Sequence, residues 1–288
     1  MNWFLFFTTH TTTALIFVFI FSAMIGSFLN VVIYRYPIML EREWTQECLS
    51  QLKQPLPEKS DTFNICLPHS HCFNCKKPIP FWLNIPIISY LLLRGKCYNC
   101  KSPVALQYFL VEILTPILSV LVLLKFGFTL SAAAALILTW GLLTLSFIDF
   151  NHQFLPDPIT YTLLWIGLII STQSLFVTTS QSIFGALIGY LFLWSIAKLY
   201  ILLQKKEGMG LGDCKMLAMI GAWVGVMSLL NVLLFSSLFA LIVSITLLLF
   251  KKIKSEKPIP FGPFIAIAGW CTLLYGDQLS QWMTQWLQ

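Results

Sequence analysis

Successive apolar runs of about 20 residues limit what this chain can fold into more than any other feature. A helix needs about 20 apolar residues to cross the hydrocarbon core of a bilayer. Hydrophobic residues make up 57% of the 288 positions and charged residues only 10%, which is more apolar surface than a soluble domain could bury. The sequence therefore predicts an all-α polytopic membrane protein.

We predict about eight transmembrane helices. The apolar runs cover 14–33, 104–124, 130–148, 159–176, 183–203, 216–250 and 261–275. The run over 216–250 is long enough for two helices joined by a turn near 228–231. Residues 1–35 then form the first transmembrane helix, which we interpret as a retained anchor, residues 36–103 form a small cytosolic domain, and residues 104–288 form a core of about seven helices. We expect no internal repeat.

Small and polar residues mark one face of the first helix. Gly26, Ser27 and Asn30 follow one another at helical spacing near its end. Small residues allow the backbones of two helices to approach closely in a membrane. We expect this face to pack against another helix, and the span to close at Tyr34-Arg35-Tyr36-Pro37.

The distribution of basic residues orients the chain. Nine of the 18 Lys and Arg residues lie between positions 35 and 101, and loops rich in Lys and Arg face the cytoplasm. The alternation of spans then also places Lys205, Lys206 and the lysine cluster over 251–254 inside. The net charge of +6 is explained by this asymmetry, so the charge gives no reason to predict a nucleic-acid partner.

Two aspartates are predicted to meet at the cytosolic face. Asp213 follows the glycines of Gly208-Met209-Gly210-Leu211-Gly212 at the start of one span, and Asp149 ends another. Glycines at alternate positions permit close approach of a second chain. Two carboxylates at one site can share a proton, so that one activates water and the other polarises a scissile carbonyl, which is the chemistry of an aspartic peptidase.

Other roles are possible for the acidic residues. Asp213 could be a helix N-cap and Asp149 a solvated residue at the interface, but together we favour a catalytic pair. Asp157, followed by Pro158 and an apolar run, is typical of an N-cap with proline at the first helical position. Glu112 interrupts a span, and it lies either near the active site or beside a polar partner.

A tetracysteine pattern predicts a metal site. Cys72 and Cys75 form one Cys-x-x-Cys motif, and Cys97 and Cys100 form a second after 21 intervening residues. Four thiolates suit a closed, structural, tetrahedral Zn²⁺ site, and a reducing cytosol argues against disulfides. The nearby His69 and His71 are interpreted as ordinary loop residues. The cysteines without metal spacing are predicted to be free thiols: Cys48, Cys66, Cys214 and Cys271.

These residues, taken in order, resemble the type IV prepilin peptidases, also called leader peptidase/N-methyltransferases. The resemblance covers nearly the whole chain. It rests on the segments 26–32, 84–91, 93–97, 111–112, 148–149, 155–157, 210–215 and 259–264 and on the paired Cys-x-x-Cys motifs.

The resemblance implies a membrane aspartic endopeptidase with Asp149 and Asp213 as catalytic residues and zinc on Cys72, Cys75, Cys97 and Cys100. Such enzymes remove the leader from type IV prepilins and type II secretion pseudopilins at the cytosolic side of the inner membrane. They cut after a glycine and then N-methylate the new N-terminal residue, usually Phe, with S-adenosylmethionine as donor. The sequence carries no glycine-rich nucleotide fingerprint after a strand, and we assign the methyl-transfer site to residues 84–95 as a hypothesis.

Two alternatives belong to other functional classes. Asp149, Asp213 and Glu112 could form a proton relay in a transporter, although paired inverted halves are missing from the pattern. The tetracysteine module could instead dock a cytosolic partner, in which case the cysteines would matter and the aspartates would not.

Overall fold

The computed structural model describes residues 11–55, 63–205, 210–250 and 259–286. Regular structure in these ranges is helical. The only extended pairings in them are two isolated β-bridges, His71 with Pro78 and Lys96 with Pro103, within the segment 63–103, which we call the cysteine module. The chain divides into two compact units at Phe128/Thr129. The predicted all-α architecture is confirmed for the described part of the chain.

The first unit contains two long helices and two short helical segments between them. These are α1 (Thr11–Gln51), a 3₁₀ helix (Phe81–Asn84), α2 (Ile88–Leu92) and α3 (Leu106–Phe126). The predicted packing face of α1 is confirmed. A side chain at Gly26 would contact Thr115 and the Glu112 backbone of α3, and the Asn30 amide donates to the Tyr108 carbonyl at 2.9 Å.

Helix α1 continues beyond Tyr34-Arg35-Tyr36-Pro37, where the span is predicted to close, and runs through Pro37 to Gln51. Proline costs a helix one backbone hydrogen bond, and the residues that follow include strong helix formers such as Leu, Glu and Arg. The Arg35 side chain is buried within the protein. It donates to the backbone carbonyls of Asn64, Ile65 and Pro68 and so ties the cysteine module to α1.

The second unit contains six helices: α4 (Leu130–His152), α5 (Asp157–Ser171), α6 (Thr179–Gln204), α7 (Leu211–Val224), α8 (Leu229–Leu249) and α9 (Gly262–Trp286). Helix α7 is its core, since nearly every residue from Cys214 to Val224 is buried. Gly185 of α6 and Gly221 of α7 are so close that a side chain on either would overlap the other backbone. Trp223 joins α7 to α5 through a 2.9 Å hydrogen bond to the Leu163 carbonyl.

Each predicted span contains a helix, but only five of the described helices are long and apolar enough to cross a membrane: α1, α3, α4, α6 and α8. The count of eight is therefore not confirmed. Helix α7 has 14 residues, a length of about 21 Å, against a hydrocarbon core of about 30 Å.

The turn within the run over 216–250 lies earlier than predicted. Helix α7 ends at Gly225, which has a φ of +77°, and α8 starts after Ser228. A positive φ suits glycine, which terminates helices for this reason. Several residues used in the sequence analysis lie outside the described ranges: Lys206, Gly208, Met209 and the lysine cluster over 251–254.

Candidate active site and metal centre

Asp149 is a buried carboxylate in the last turn of α4, with 6% of its surface exposed. The helix ends four residues later, where Gln153 adopts a left-handed conformation and its N–H donates to the Asp149 carbonyl at 2.9 Å. The Asp149 side chain accepts a hydrogen bond from the backbone N–H of Gly262, with 3.0 Å between N and Oδ2. It is therefore not the solvated interfacial residue of the alternative interpretation.

Asp213 is the third residue of α7 and is half-buried. The N-cap position belongs to Gly210, whose backbone is extended. A carboxylate in the first turn of a helix is stabilised by the partial positive charge of the helix N-terminus. Gly212, just before it, packs against Leu155, and a side chain there would lie 3.2 Å from the Leu155 Cβ.

The structure brings the two aspartates together within the second unit. The charge of Asp149 acts on the Asp213 carboxyl, although 64 residues separate them in the sequence. Close carboxylates of this kind favour a shared proton over two full charges. The pair can therefore hold one acidic proton and one basic carboxylate at the same site.

Gly262 is a site residue whose role was not predicted. It opens α9, and its N–H is one of the donors that a helix N-terminus leaves without an intrahelical partner. A Cβ at this position would overlap Oδ2 of Asp149. The sequence signal was a glycine between Pro260-Phe261 and Pro263, but a backbone donor has no side chain by which to recognise it.

Asp157 does not act as the predicted N-cap. The N-cap of α5 is Pro156, and Asp157 and Pro158 are the first two helical residues. The Asp157 carboxylate instead accepts two hydrogen bonds from the Lys215 ammonium, each 2.7 Å long. A lysine distant in sequence thus outcompetes the local backbone donors for this carboxylate.

Glu112 belongs to the first unit and has a polar partner there. Its Oε2 accepts the backbone N–H of Ile87 at 2.8 Å. Ile87 has φ +64° and ψ −53°, a conformation that a β-branched residue adopts only under strain. Glu112 was expected to lie either near the active site or beside a polar partner, and the structure supports the polar partner.

The four predicted metal ligands converge. The Sγ atoms of Cys72, Cys75, Cys97 and Cys100 all lie within 4.8 Å of one another, and those of Cys72 and Cys100 are 3.7 Å apart. Tetrahedral zinc with bonds of about 2.3 Å places its sulfur ligands about 3.8 Å apart. The arrangement therefore fits a closed zinc site, in which four protein ligands leave no open coordination position.

The two Cys-x-x-Cys motifs are copies of one structural unit, contrary to the expectation of no internal repeat. Residues 72–78 read Cys-Phe-Asn-Cys-Lys-Lys-Pro and residues 97–103 read Cys-Tyr-Asn-Cys-Lys-Ser-Pro. In each copy the first cysteine N–H donates to the carbonyl five residues later, and the lysine after the second cysteine has a positive φ. The repeat is too short to stand out in a search at domain scale.

Hydrogen bonds prepare two of these thiols, those of Cys72 and Cys100, for a metal. The N–H groups of Cys75 and Asn74 lower the pKa of the Cys72 thiol to about 6. The Ser102 hydroxyl, 3.1 Å from the Cys100 Sγ, lowers the pKa of that thiol. Thiolates are the metal-binding form of cysteine. Ser102 was not identified in the sequence because its spacing matches no ligand pattern.

The other cysteines and histidines that the structure describes lie outside this cluster. Cys48 and Cys66 are exposed free thiols, Cys214 is buried, and Cys271 is half-buried. His71 pairs through Nδ1 with the His69 carbonyl at 2.9 Å. Within the described ranges, the four-cysteine cluster is the one group of three or more potential metal ligands.

Comparison with known proteins identifies both units. Residues 20–126 match the family model described as the bacterial peptidase A24 N-terminal domain, and residues 136–245 match the type IV leader peptidase family. No solved structure matches the chain.

Curated relatives named "Prepilin leader peptidase/N-methyltransferase" align over most of the chain. The protein from Stutzerimonas stutzeri is 46% identical, over 91% of this chain and 90% of its own length. The one from Pseudomonas aeruginosa is 47% identical over 90% and 89%, and the one from Aeromonas salmonicida is 48% identical over 92% of both. At this identity and coverage, the chain belongs to the type IV leader peptidase family.

Proposed function

We propose that this chain is a membrane aspartic endopeptidase that removes the leader from prepilins and pseudopilins and then N-methylates the new N-terminal residue. The peptidase and methyltransferase activities follow from the names of its relatives. The observation that supports the aspartic mechanism is the juxtaposition of Asp149 and Asp213 at the ends of two helices in one unit. No second functional class has a comparable observation in its favour.

The cleavage chemistry follows from two carboxyl groups that share one proton. The ionised carboxylate takes a proton from a water molecule, whose oxygen attacks the scissile carbonyl carbon, while the protonated carboxyl donates a hydrogen bond to the carbonyl oxygen. The resulting tetrahedral species collapses as the amide nitrogen gains a proton and the C–N bond breaks. The products are the free leader carboxylate and the new N-terminal amine.

Gly262 contributes orientation to this reaction. Its N–H donates a hydrogen bond to Oδ2 of Asp149. This bond fixes the plane of the carboxylate and leaves Oδ1 available for water. Burial of Asp149 and half-burial of Asp213 limit competing water, and electrostatic interactions are stronger in such a site than in solvent. Gly210 adds no side chain beside Asp213, and the space around its Cα is open, so an extended substrate segment can approach the carboxylate there.

The four cysteines would hold Zn²⁺ as a structural ion. Their mutual distances suit tetrahedral coordination, and an ion with four thiolate ligands supplies folding energy rather than a reactive water. We retain the three-part organisation, with residues 1–35 as the first transmembrane helix, 36–103 as the zinc domain and 104–288 as the peptidase core. Helix α1 continues from the first part into the second, and α3, which this division assigns to the core, belongs to the first compact unit.

Methyl transfer is assigned to residues 84–95 in the first unit. The strained Ile87, held by Glu112, supports this assignment, because backbone strain collects at functional sites. S-adenosylmethionine is the proposed donor, and it would supply an electrophilic methyl group to the amine nitrogen. The proposed location is the bacterial inner membrane, with both sites on its cytosolic side, and the charge distribution of the loops supports that orientation.

The direct test is cleavage of a purified prepilin by the wild-type protein, Asp149→Asn and Asp213→Asn, with mass spectrometry of the product N-terminus. We expect the wild-type protein to release the leader and to add one methyl group. Both variants should leave the leader attached while inserting into membranes normally. Cleavage at the wild-type rate by either variant would refute the aspartic mechanism.

A further inference from the structure

A two-point ion pair links the segments that carry the two aspartates. The Lys215 Nζ donates to both Oδ1 and Oδ2 of Asp157, each at 2.7 Å, and lies 5.5 Å from the centre of the Tyr161 ring. Lys215 lies on α7, two residues after Asp213, and Asp157 opens α5, eight residues after Asp149. The Lys215–Asp157 ion pair therefore connects the chain segment that carries Asp213 to the segment that carries Asp149.

Apolar packing supports the same junction. Leu155, in the link between Asp149 and Asp157, is buried, and its side chain lies against Gly212, the residue before Asp213. Deeper in the unit, the hydrogen bond from Trp223 to the Leu163 carbonyl joins the same two helices. The α5–α7 interface is thus fixed at both ends, and the end with the ion pair adjoins the aspartates.

The ion pair is poorly explained as a source of stability. The Asp157 side chain is 47% exposed and that of Lys215 22%, and ion pairs open to solvent contribute little to folding. A lysine bound to both oxygens of one carboxylate does restrict how α5 and α7 slide past each other. Small displacements of reacting groups are costly, since a shift of about 1 Å can reduce a rate about 100-fold.

We propose that Lys215 and Asp157 are positioning residues that set the separation of Asp213 from Asp149 in the peptidase site. This inference rests on the proposed function. Neither residue needs to touch the substrate, because Lys215 acts through the first turn of α7, which carries Asp213, and Asp157 acts through the short link to the end of α4, which carries Asp149. Leader cleavage should therefore depend on the pair, whereas methylation of a pilin that already lacks its leader should not.

The experiment compares Lys215→Met, Asp157→Asn and the double variant in purified form, with initial rates measured over a range of prepilin concentrations. We expect kcat for cleavage to fall about 100-fold in each single variant, as for a misplacement of about 1 Å, while KM changes little. The double variant should be no slower than the worse single variant, because both substitutions break one interaction. Lys215→Arg, which can still bind both carboxylate oxygens, should retain most of the activity.

Two controls separate positioning from unfolding. Lys198→Met removes an exposed lysine of α6 that lies beside Trp194. This variant protein should cleave prepilin at the wild-type rate. All variants should methylate a leader-free pilin at the wild-type rate, which reports an intact first unit, and the unchanged KM for prepilin reports that the second unit is still folded.

Three results would overturn the inference. These are wild-type cleavage by Lys215→Met, losses that multiply in the double variant, and a rise in KM with unchanged kcat, which would indicate direct contact with substrate. Inactivity of Asp149→Asn and Asp213→Asn in the same assay would show that the peptidase mechanism still holds even where the positioning inference fails.

Discussion

The backbone N–H of Gly262 donates a 3.0 Å hydrogen bond to Oδ2 of Asp149, across 113 residues of sequence. The donor is the first residue of α9, where a helix presents unpaired N–H groups and partial positive charge. The acceptor lies in the last turn of α4, where the helix end disfavours a negative charge. The start of one helix thus compensates a carboxylate placed at the end of another.

Gly262→Ala should therefore impair cleavage without unfolding the protein. The new Cβ would overlap Oδ2 of Asp149, and the easiest relief is rotation of that carboxylate, since alanine itself suits a helix better than glycine does. We expect a loss of about 100-fold in cleavage rate, as for a misplacement of about 1 Å, with normal membrane insertion. Leader removal from a prepilin, followed by gel or mass spectrometry, measures this.

Gly276→Ala is the matched control for that substitution. It adds the same methyl group to the same helix, where the nearest atoms would be at ordinary contact distances of 3.6 and 4.0 Å. It should cleave like the wild-type protein. Equal activity of Gly262→Ala and Gly276→Ala would contradict a role for the Gly262 contact.

The sequence allowed the aspartate pair to be predicted because its two members carry visible signals. Asp149 ends an apolar run, Asp213 follows alternate glycines, and the positive-inside rule places both run ends on one side. It could not reveal Gly262, because a backbone donor is recognised only once the chain is folded. Asp157 was misjudged because the cap pattern is local, whereas its partner Lys215 lies 58 residues away.

The helix lengths were predicted less well for a related reason. Hydropathy marks where a chain is apolar, but α1 continues into a polar segment that folds as helix and is anchored by Arg35. Helix α7 is apolar because it is enclosed by other helices, although it has only 14 residues. A buried helix and a spanning helix can have the same composition, and neighbouring helices distinguish them.

The cysteine cluster should bind one zinc ion per chain. The four Sγ atoms are already within 4.8 Å of one another, and each cysteine supplies one of four tetrahedral ligands. Cys97→Ser should lose the bound zinc, because a neutral hydroxyl is a far weaker ligand than a thiolate. Elemental analysis of the purified protein measures the zinc content directly.

Cys66→Ser provides the comparison for the zinc measurement. Cys66 is an exposed free thiol of the same module, outside the cluster, and its replacement should leave the zinc content unchanged. A wild-type protein without zinc after expression in zinc-containing medium, or full occupancy in Cys97→Ser, would refute the site.

Ser102 should strengthen zinc binding without being a ligand. Its hydroxyl lies 3.1 Å from the Cys100 Sγ and 3.7 Å from the Cys72 Sγ, so it can donate to a thiolate and orient it. Loss of such an outer contact typically costs about 10- to 100-fold in metal affinity, and we expect this for Ser102→Ala. Competition with a chromogenic chelator measures the affinity.

Ser50→Ala is a suitable control for Ser102→Ala. Its hydroxyl is exposed and bonds to the Glu47 carbonyl of its own helix, so the substitution should not affect zinc affinity. If Ser102→Ala bound zinc as tightly as Ser50→Ala does, the Ser102 contact would be incidental.

Glu112 should be required for methyl transfer and dispensable for cleavage. Its carboxylate accepts the Ile87 N–H and holds that residue at a φ of +64°, at a strain of about 1–3 kcal/mol. Glu112→Met removes the acceptor, so the segment over 84–95 should relax and methylation should fall at least about 10-fold, which corresponds to about 1.4 kcal/mol. Glu112→Gln keeps an amide oxygen that can accept the same N–H and should retain more activity. Mass spectrometry of the released pilin distinguishes cleaved from methylated product.

A second substitution, Ile87→Gly, added to Glu112→Met tests how Glu112 acts. Glycine adopts a positive φ without strain, so it should restore part of the methylation if Glu112 acts by holding Ile87 in this conformation. Normal methylation in Glu112→Met would show that this contact does not serve methyl transfer, and an equal loss of cleavage would show that its effect is not specific to methyl transfer.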